Sequence, residues 1–232
     1  MKTTAVIAAM PVELEGILTQ LGAQEKKVTG FYRLYEASFC GSRVIFACCG
    51  IGKVNAAACT QRLIDYCQPD AIINMGIAGG ISAELSTLDV VIGSEVVYHD
   101  FSPISLLENN YPFAGSFVCD KALIELAKQV CAGSLAPGSF RVGRIASGDC
   151  FVEAGEVRTR IRDLLGGLCC EMEGAAIGQV SHANGVPFLI LRSISDLADE
   201  NAQMSYEEFE SKASLQANRI VTGLLSAIAQ GV

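Results

Sequence analysis

Apolar runs rich in Val and Ile occur near residues 4–9, 43–49, 70–75, 88–94, 141–147, 168–172 and 186–194. Unbroken hydrophobicity over a few residues marks strands that are covered on both faces. Helical patterns fill the intervals near 11–22, 52–68, 120–132, 155–165 and 174–185, and a last one lies near 205–229. This alternation predicts an α/β fold: a three-layer αβα sandwich around a mixed, mainly parallel sheet. Pro11 suits a first helical turn, where a missing N–H costs nothing, and Asp120 and Ser205 are candidate N-caps. Glycines punctuate the strand ends at Gly50, Gly52, Gly76, Gly79, Gly80 and Gly148. The stretch 99–118, with Pro103, Pro112 and Gly115, is the longest candidate loop, of a kind that covers a site or reaches a partner subunit. With no internal repeat and no linker, residues 1–232 read as one domain.

Composition narrows the class. Hydrophobic residues make up 50% and charged residues 18%, enough for a large core and against disorder. The net charge of −8, with Lys and Arg scattered singly, lacks the basic stripe that nucleic acid requires. The run Ala5–Ala9 is too short for a signal peptide and no segment has the ~20 apolar residues of a membrane span, so a soluble, cytoplasmic protein is expected. The 10 cysteines sit in apolar runs such as Phe46-Ala47-Cys48-Cys49 and read as reduced core residues. Without Cys-x-x-Cys or His spacing, and with His99 and His182 isolated, neither a metal nor a cofactor is expected.

Ligands of open α/β sheets bind beyond the carboxyl ends of the strands. Carboxylates stand at three such places: Glu13 after the first strand, Glu171 and Glu173 after Leu168-Cys169-Cys170, and Asp196 after the run ending Arg192-Ser193-Ile194-Ser195. Singly, Glu13 could complement a helix dipole and Asp196 could cap a turn. Together, acids among apolar strand ends are costly to bury, and function is a common reason to keep them. Glycoside cleavage wants such a set: one acid protonates the leaving group, another carboxylate activates water, and a third binds sugar hydroxyls and offsets developing positive charge.

Other motifs add less. Gly50-Ile51-Gly52-Lys53 lacks P-loop spacing, and Gly76-Ile77-Ala78-Gly79-Gly80 fits a dinucleotide fingerprint poorly; it reads better as a turn letting the main chain approach a ligand. Phe151, after Ser147-Gly148-Asp149-Cys150, stands where a purine could stack, although a core role is the commoner fate of a Phe. Cys150 has no neighbouring His to activate it and reads as a structural thiol. Arg192, alone in an apolar strand, needs an acidic partner and is expected to orient Asp196 or a Glu.

Seven segments in order, Ala8-Ala9-Met10-Pro11-Val12-Glu13, Gly50-Ile51-Gly52-Lys53-Val54-Asn55-Ala56-Ala57, Ile72-Ile73-Asn74-Met75-Gly76-Ile77-Ala78-Gly79-Gly80, Tyr98-His99-Asp100, Ser147-Gly148-Asp149, Glu171-Met172-Glu173-Gly174-Ala175-Ala176 and Arg192-Ser193-Ile194-Ser195-Asp196, resemble the motif set of the methylthioadenosine/S-adenosylhomocysteine nucleosidases over nearly the whole chain. The resemblance implies a hydrolase of 5′-modified adenosines with the nucleoside phosphorylase/hydrolase fold. It implies that Glu13 positions and deprotonates the attacking water, Asp196 directs a proton to adenine N7, and Glu173 binds the ribose hydroxyls. It further implies that Met172 lines the sugar pocket, Phe151 and the Val152 backbone hold adenine, Gly79 adds main-chain contacts, and Ile77, Ala78 and Ser195 complete the pocket. Ile51 and Tyr206 would border the 5′-alkylthio group, with loop 99–118 of a second subunit in a homodimer. Three departures stand out: Pro11-Val12 precedes Glu13 where the family usually has a more acidic run, Ile77 occupies a position where the family often has Ser or Thr, and Phe101-Ser102-Pro103-Ile104-Ser105-Leu106 replaces an acidic stretch containing Gly and Tyr. The preferred 5′-substituent is therefore open.

The nearest alternative is a purine nucleoside phosphorylase, but phosphate wants Arg and hydroxyl donors where Glu13 and Ile77 stand. A non-catalytic nucleoside-binding protein would keep Phe151 and Glu173 with little use for Glu13 and Asp196 together. A dinucleotide-dependent oxidoreductase lacks its fingerprint.

Overall fold

The computed structural model describes residues 2–26, 32–199 and 201–231. Strand β1 (Thr3–Ala8) turns at once into helix α1 (Pro11–Leu21), with Pro11 in its first turn as predicted and Gly22 in the left-handed conformation ending it. A hairpin-rich edge follows: β2 (Gln24–Lys26), β3 (Arg33–Phe39) and β4 (Ser42–Cys48). Then come α2 (Lys53–Cys67), β5 (Ala71–Gly80), β6 (Val90–Tyr98), the short α3 (Ser105–Asn109), β7 (Phe117–Val118) and α4 (Lys121–Ser134). The chain closes with β8 (Phe140–Ser147), α5 (Glu156–Asp163), β9 (Gly167–Glu171), α6 (Gly174–Asn184), β10 (Phe188–Asp196) and α7 (Ala202–Gln230).

The strands form one sheet in the order β10-β6-β8-β9-β5-β1-β4-β3-β2, with β7 beside β6. Among the described residues five pairings are parallel (β1–β4, β1–β5, β5–β10, β6–β8, β8–β9) and five antiparallel (β2–β3, β3–β4, β5–β9, β6–β7, β6–β10). The mixed sheet is thus less dominated by parallel pairs than the apolar runs imply, although the parallel pairs carry the longer registers of the core. Because β5 also pairs with β10, strands β5, β10, β6, β8 and β9 close into a ring, from which β1, β4, β3 and β2 extend. Helices α1, α4 and α7 pack together on one side, and α2 packs on α6 on the other, which gives the three layers. Val6, Ile7, Ile72, Ile73, Met75, Leu189, Ile190 and Leu191 lie fully buried between them.

Several expectations change. Gly76–Gly80 is the second half of β5, not a turn, paired with β10 and β9. Strand β3 escapes a search for continuous apolar runs because as a near-edge strand it is only half-buried. Segment 99–118 contains α3 and β7. Asp120 caps α4 by accepting from Leu123 N–H at 3.0 Å, but Ser205 is not an N-cap: α7 starts three residues earlier, and Ser205 N–H already donates to Asn201 C=O at 2.9 Å. The cysteines are all free thiols, with six buried, while Cys40 and Cys150 are exposed. No helix among the described residues is long and apolar enough to cross a membrane.

Candidate active site

The carboxyl ends of β1, β4, β5, β8, β9 and β10 converge on a cavity of about 360 Å³. Because β1 passes into α1 through only two residues, Glu13 in the first helical turn reaches back over the strand end. Its Oε2 accepts N–H bonds from Ala9 and Met10, both at 2.9 Å, and Oε1 accepts one from Ile77 at 3.1 Å. The side chain is buried, at 3% exposure. Burial raises its pKa above the usual carboxylate range, against the opposing pull of Arg192 and of the three amides.

Asp196 is the last residue of β10. Its Oδ2 accepts from Ser195 Oγ at 2.8 Å and its Oδ1 from Ala198 N–H at 2.9 Å, and burial raises its pKa despite both bonds. Glu173, between β9 and α6, accepts from Gly52 N–H at 2.8 Å through Oε1. Burial first, and then repulsion from Glu171, lift Glu173 to about 7.

Glu171, in the cavity wall, and Arg192 behind it form a buried pair. Arg192 also donates to Asn74 Oδ1 at 2.5 Å and lies 4.0 Å from Glu173 Oε2, while Glu171 accepts from Ser147 Oγ and from the N–H groups of Glu173 (3.1 Å) and Gly174 (2.8 Å). Every anchor on Glu171 is therefore a donor. Removing one partner of such a pair costs about 3–5 kcal/mol, since a lone charge stays buried. On the opposite wall, Phe151 and Tyr206 meet edge-to-face, with centroids 5.8 Å apart. Tyr206 Oη donates to Glu210 Oε1 at 2.9 Å.

Comparison with known proteins bears on this arrangement. The family description of the phosphorylase superfamily matches residues 3–226. A 5′-methylthioadenosine/S-adenosylhomocysteine nucleosidase from Neisseria meningitidis, solved with methylthio-immucillin-A, is 36% identical, with a TM-score of 0.90 over 98% of this chain and 100% of that one. The chain belongs to the phosphorylase superfamily, in its methylthioadenosine/S-adenosylhomocysteine nucleosidase family. An S-adenosylhomocysteine nucleosidase from Streptococcus pyogenes with 5-methylthiotubericidin is 31% identical (TM-score 0.91, 98% and 97% covered). The native futalosine hydrolase of Helicobacter pylori is 27% identical (TM-score 0.89, 97% and 98% covered).

In this nucleosidase-family chain, Glu13, Glu173, Asp196, Ile51, Ile77, Ala78, Gly79, Phe151, Val152, Met172, Ser195 and Tyr206 all line the one cavity just described. Arg192 does not line it and reaches Glu171 and Glu173 rather than Asp196, so of the two partners open to it the Glu is the one it holds. Phe151 is exposed at the cavity wall instead of sitting in the core. The sequence reading missed Ala9, Met10, Cys150, Cys170 and Gln203 as lining residues and did not carry Glu171 into the site. Gln203 was hidden by starting the last helix too late. Cys150 faces the cavity with its thiol pKa pushed up by burial, which leaves it a poor nucleophile.

Proposed function

We propose that this chain hydrolyses the N-glycosidic bond of 5′-modified adenosines such as methylthioadenosine and S-adenosylhomocysteine, releasing adenine and the free sugar. The observation that carries this reading is the convergence on one cavity of three buried carboxylates, held by different donors, opposite an edge-to-face aromatic pair. Adenine lies against Phe151 and the Val152 backbone, with Asp196 toward N7. As the C1′–N9 bond breaks, the proton of Asp196 passes to N7 and the purine leaves neutral; the raised pKa of Asp196 favours the protonated form this step needs. Positive charge then builds on the ribose, where Glu173 holds the hydroxyls and offsets it. Glu13 takes a proton from water as the C1′–O bond forms, and ends protonated. Met172 and Gly79 shape the sugar and base walls, and Ile77, Ala78 and Ser195 close the pocket.

Phosphate is a poor competitor for water here. Glu13 faces the nucleophile's place, Ile77 offers no side-chain donor, and Arg192 is engaged with Glu171. Ile51 and Tyr206 border the 5′-substituent. A second copy completes that end by bringing its 99–118 segment, whose Phe101, Leu106, Tyr111, Phe113 and Val118 are exposed. Ten free thiols suit the reducing cytoplasm in which we place the enzyme.

The test is adenine release from methylthioadenosine and S-adenosylhomocysteine, with and without phosphate, followed by identification of the sugar. Free 5-methylthioribose at a phosphate-independent rate is expected; a sugar 1-phosphate would overturn hydrolysis, and no adenine from either substrate would overturn the reading.

A further inference from the structure

A charged cluster sits just outside the cavity, against its sugar side. Lys53, the first residue of α2, places its ammonium 2.7 and 2.6 Å from the two carboxylate oxygens of Asp100, 3.6 Å from Asp149 Oδ2 and 5.4 Å from the centroid of the Tyr98 ring. Its backbone N–H donates to Asp149 Oδ1 at 2.8 Å, and Asp149 N–H donates to Asp100 Oδ2 at 2.9 Å. The three residues come from beyond the ends of β4, β6 and β8, so the contacts tie three loops together. Asp100 is held below its ordinary pKa: burial alone would raise it, but the Lys53 ammonium and the Asp149 N–H outweigh that. None of the three lines the cavity.

The link to the site is Gly52. Helix α2 has no side-chain cap of its own, and Gly52 adopts φ 95°, a conformation open to glycine, with space for a Cβ closed off 3.1 Å away by Asp149 Oδ1. Its N–H is the donor to Glu173 Oε1. Two successive amides of one helix start thus serve two acids from distant strands: Gly52 holds Glu173, and Lys53 is held by Asp149. Isolated surface pairs contribute little, but here one ammonium lies between two exposed acids that each also accept a backbone N–H, Asp149 from Lys53 and Asp100 from Asp149, so the direction of the helix start depends on the connected set rather than on one pair.

We propose that Lys53, Asp100 and Asp149 act as a positioning clasp for Glu173, fixing the α2 start so that Gly52 N–H aims the Glu173 carboxylate at the sugar. This rests on the reading of Glu173 as the ribose-binding acid. Without the ammonium, Asp100 and Asp149 repel each other, the loops part, and Gly52 N–H turns off its acceptor.

Two measurements on the full chain test it. In the unliganded protein, the Gly52 amide proton shift reports its bond to Glu173 by NMR. It should move upfield in Glu173→Gln and in Lys53→Met, and stay near its wild-type value in Lys53→Arg. With methylthioadenosine, Lys53→Met should raise KM about tenfold, the loss of one charge-assisted hydrogen bond, with kcat within about threefold and adenine binding unchanged. Lys53→Arg should restore most of the KM. Asp100→Asn should act in the same direction more mildly, and it carries the test if Lys53→Met does not fold. A Gly52 shift unmoved in Lys53→Met, or adenine affinity lost in step with KM, would overturn the clasp. An inactive wild type would instead sink the hydrolase reading, with the amide shift still deciding the clasp.

Discussion

Glu13 accepts three backbone N–H bonds and still has a raised pKa, because the loss of water around a fully buried carboxylate outweighs the donors supplied in exchange. Asp196 is in the same position with two donors. Asp196→Asn, which cannot release a proton to the purine, should lower kcat for adenine release by roughly 10²–10⁴-fold with KM little changed; near-normal turnover would remove Asp196 from the acid role. Glu173 titrates near 7 in the folded chain against an ordinary value of 4.5, so the native state keeps its proton to higher pH than the unfolded chain does. Its stability contribution is therefore complete below about pH 4.5 and is lost as pH rises through 7, an effect of about 3 kcal/mol at most. Urea unfolding of Glu173→Gln at pH 5 and pH 8.5 should find the variant gaining on wild type at the higher pH while losing activity. An equal difference at both pH values would mean that Glu173 is not the group responsible. The acids at strand ends were legible because charge among apolar runs is conspicuous in one dimension. Their surroundings were legible only in part: an acidic partner for Arg192 was expected, but its bond to Asn74 118 positions away and that of Gly52 to Glu173 121 positions away span distances over which sequence pattern is silent.

Among the elements, β5 illustrates both success and failure of pattern reading. Its first half, Ala71-Ile72-Ile73, is an apolar run and was found; its second half is glycine-rich and looks like a turn. The structure supplies the reason. A Cβ on Gly76 would fall 2.5 Å from Glu13 Oε1, and one on Gly79 would fall 2.9 Å from Asp196 Oδ1. The strand is bare there so that two acids can lie against its backbone, and neither glycine has a positive φ. Gly76→Ala should therefore displace Glu13 and cut activity by at least tenfold while leaving circular dichroism unchanged. Full activity would show that the acid tolerates the shift. Helix α1 is set by a comparable device: Asn218 of α7 accepts from Ile17 N–H at 2.7 Å and donates to Glu13 C=O at 2.9 Å, with Gly16 leaving room for its amide. Nothing in the local pattern of α7 announces that contact.

For the whole molecule, alternating strands and helices predicted the layers, since each element must bury one face against a neighbour. The return of β10 to pair with β5 as well as β6 was not legible, because the same apolar run suits either an edge or a centre. Surface apolarity carries the proposal of a homodimer. Phe113 is 70% exposed and Tyr111 67%, and the two rings meet edge-to-face. Phe113→Asp should shift sedimentation at micromolar concentration from twice the chain mass to one, and raise KM for methylthioadenosine through loss of the partner's segment. A wild-type chain sedimenting as a monomer would end the proposal.

The late position of β10 has a consequence for synthesis. A nascent chain emerging from the ribosome finishes β5 at Gly80 and β6 at Tyr98, long before the strand that fills the slot between them is complete at Asp196. Until Phe188–Asp196 is out, Ile72–Gly79 and Val90–Ile92 lack the backbone partners that this strand provides, and bare edges of apolar strands recruit other chains. The polypeptide therefore cannot finish its core from the front, and its last fifth decides whether the rest survives long enough to fold.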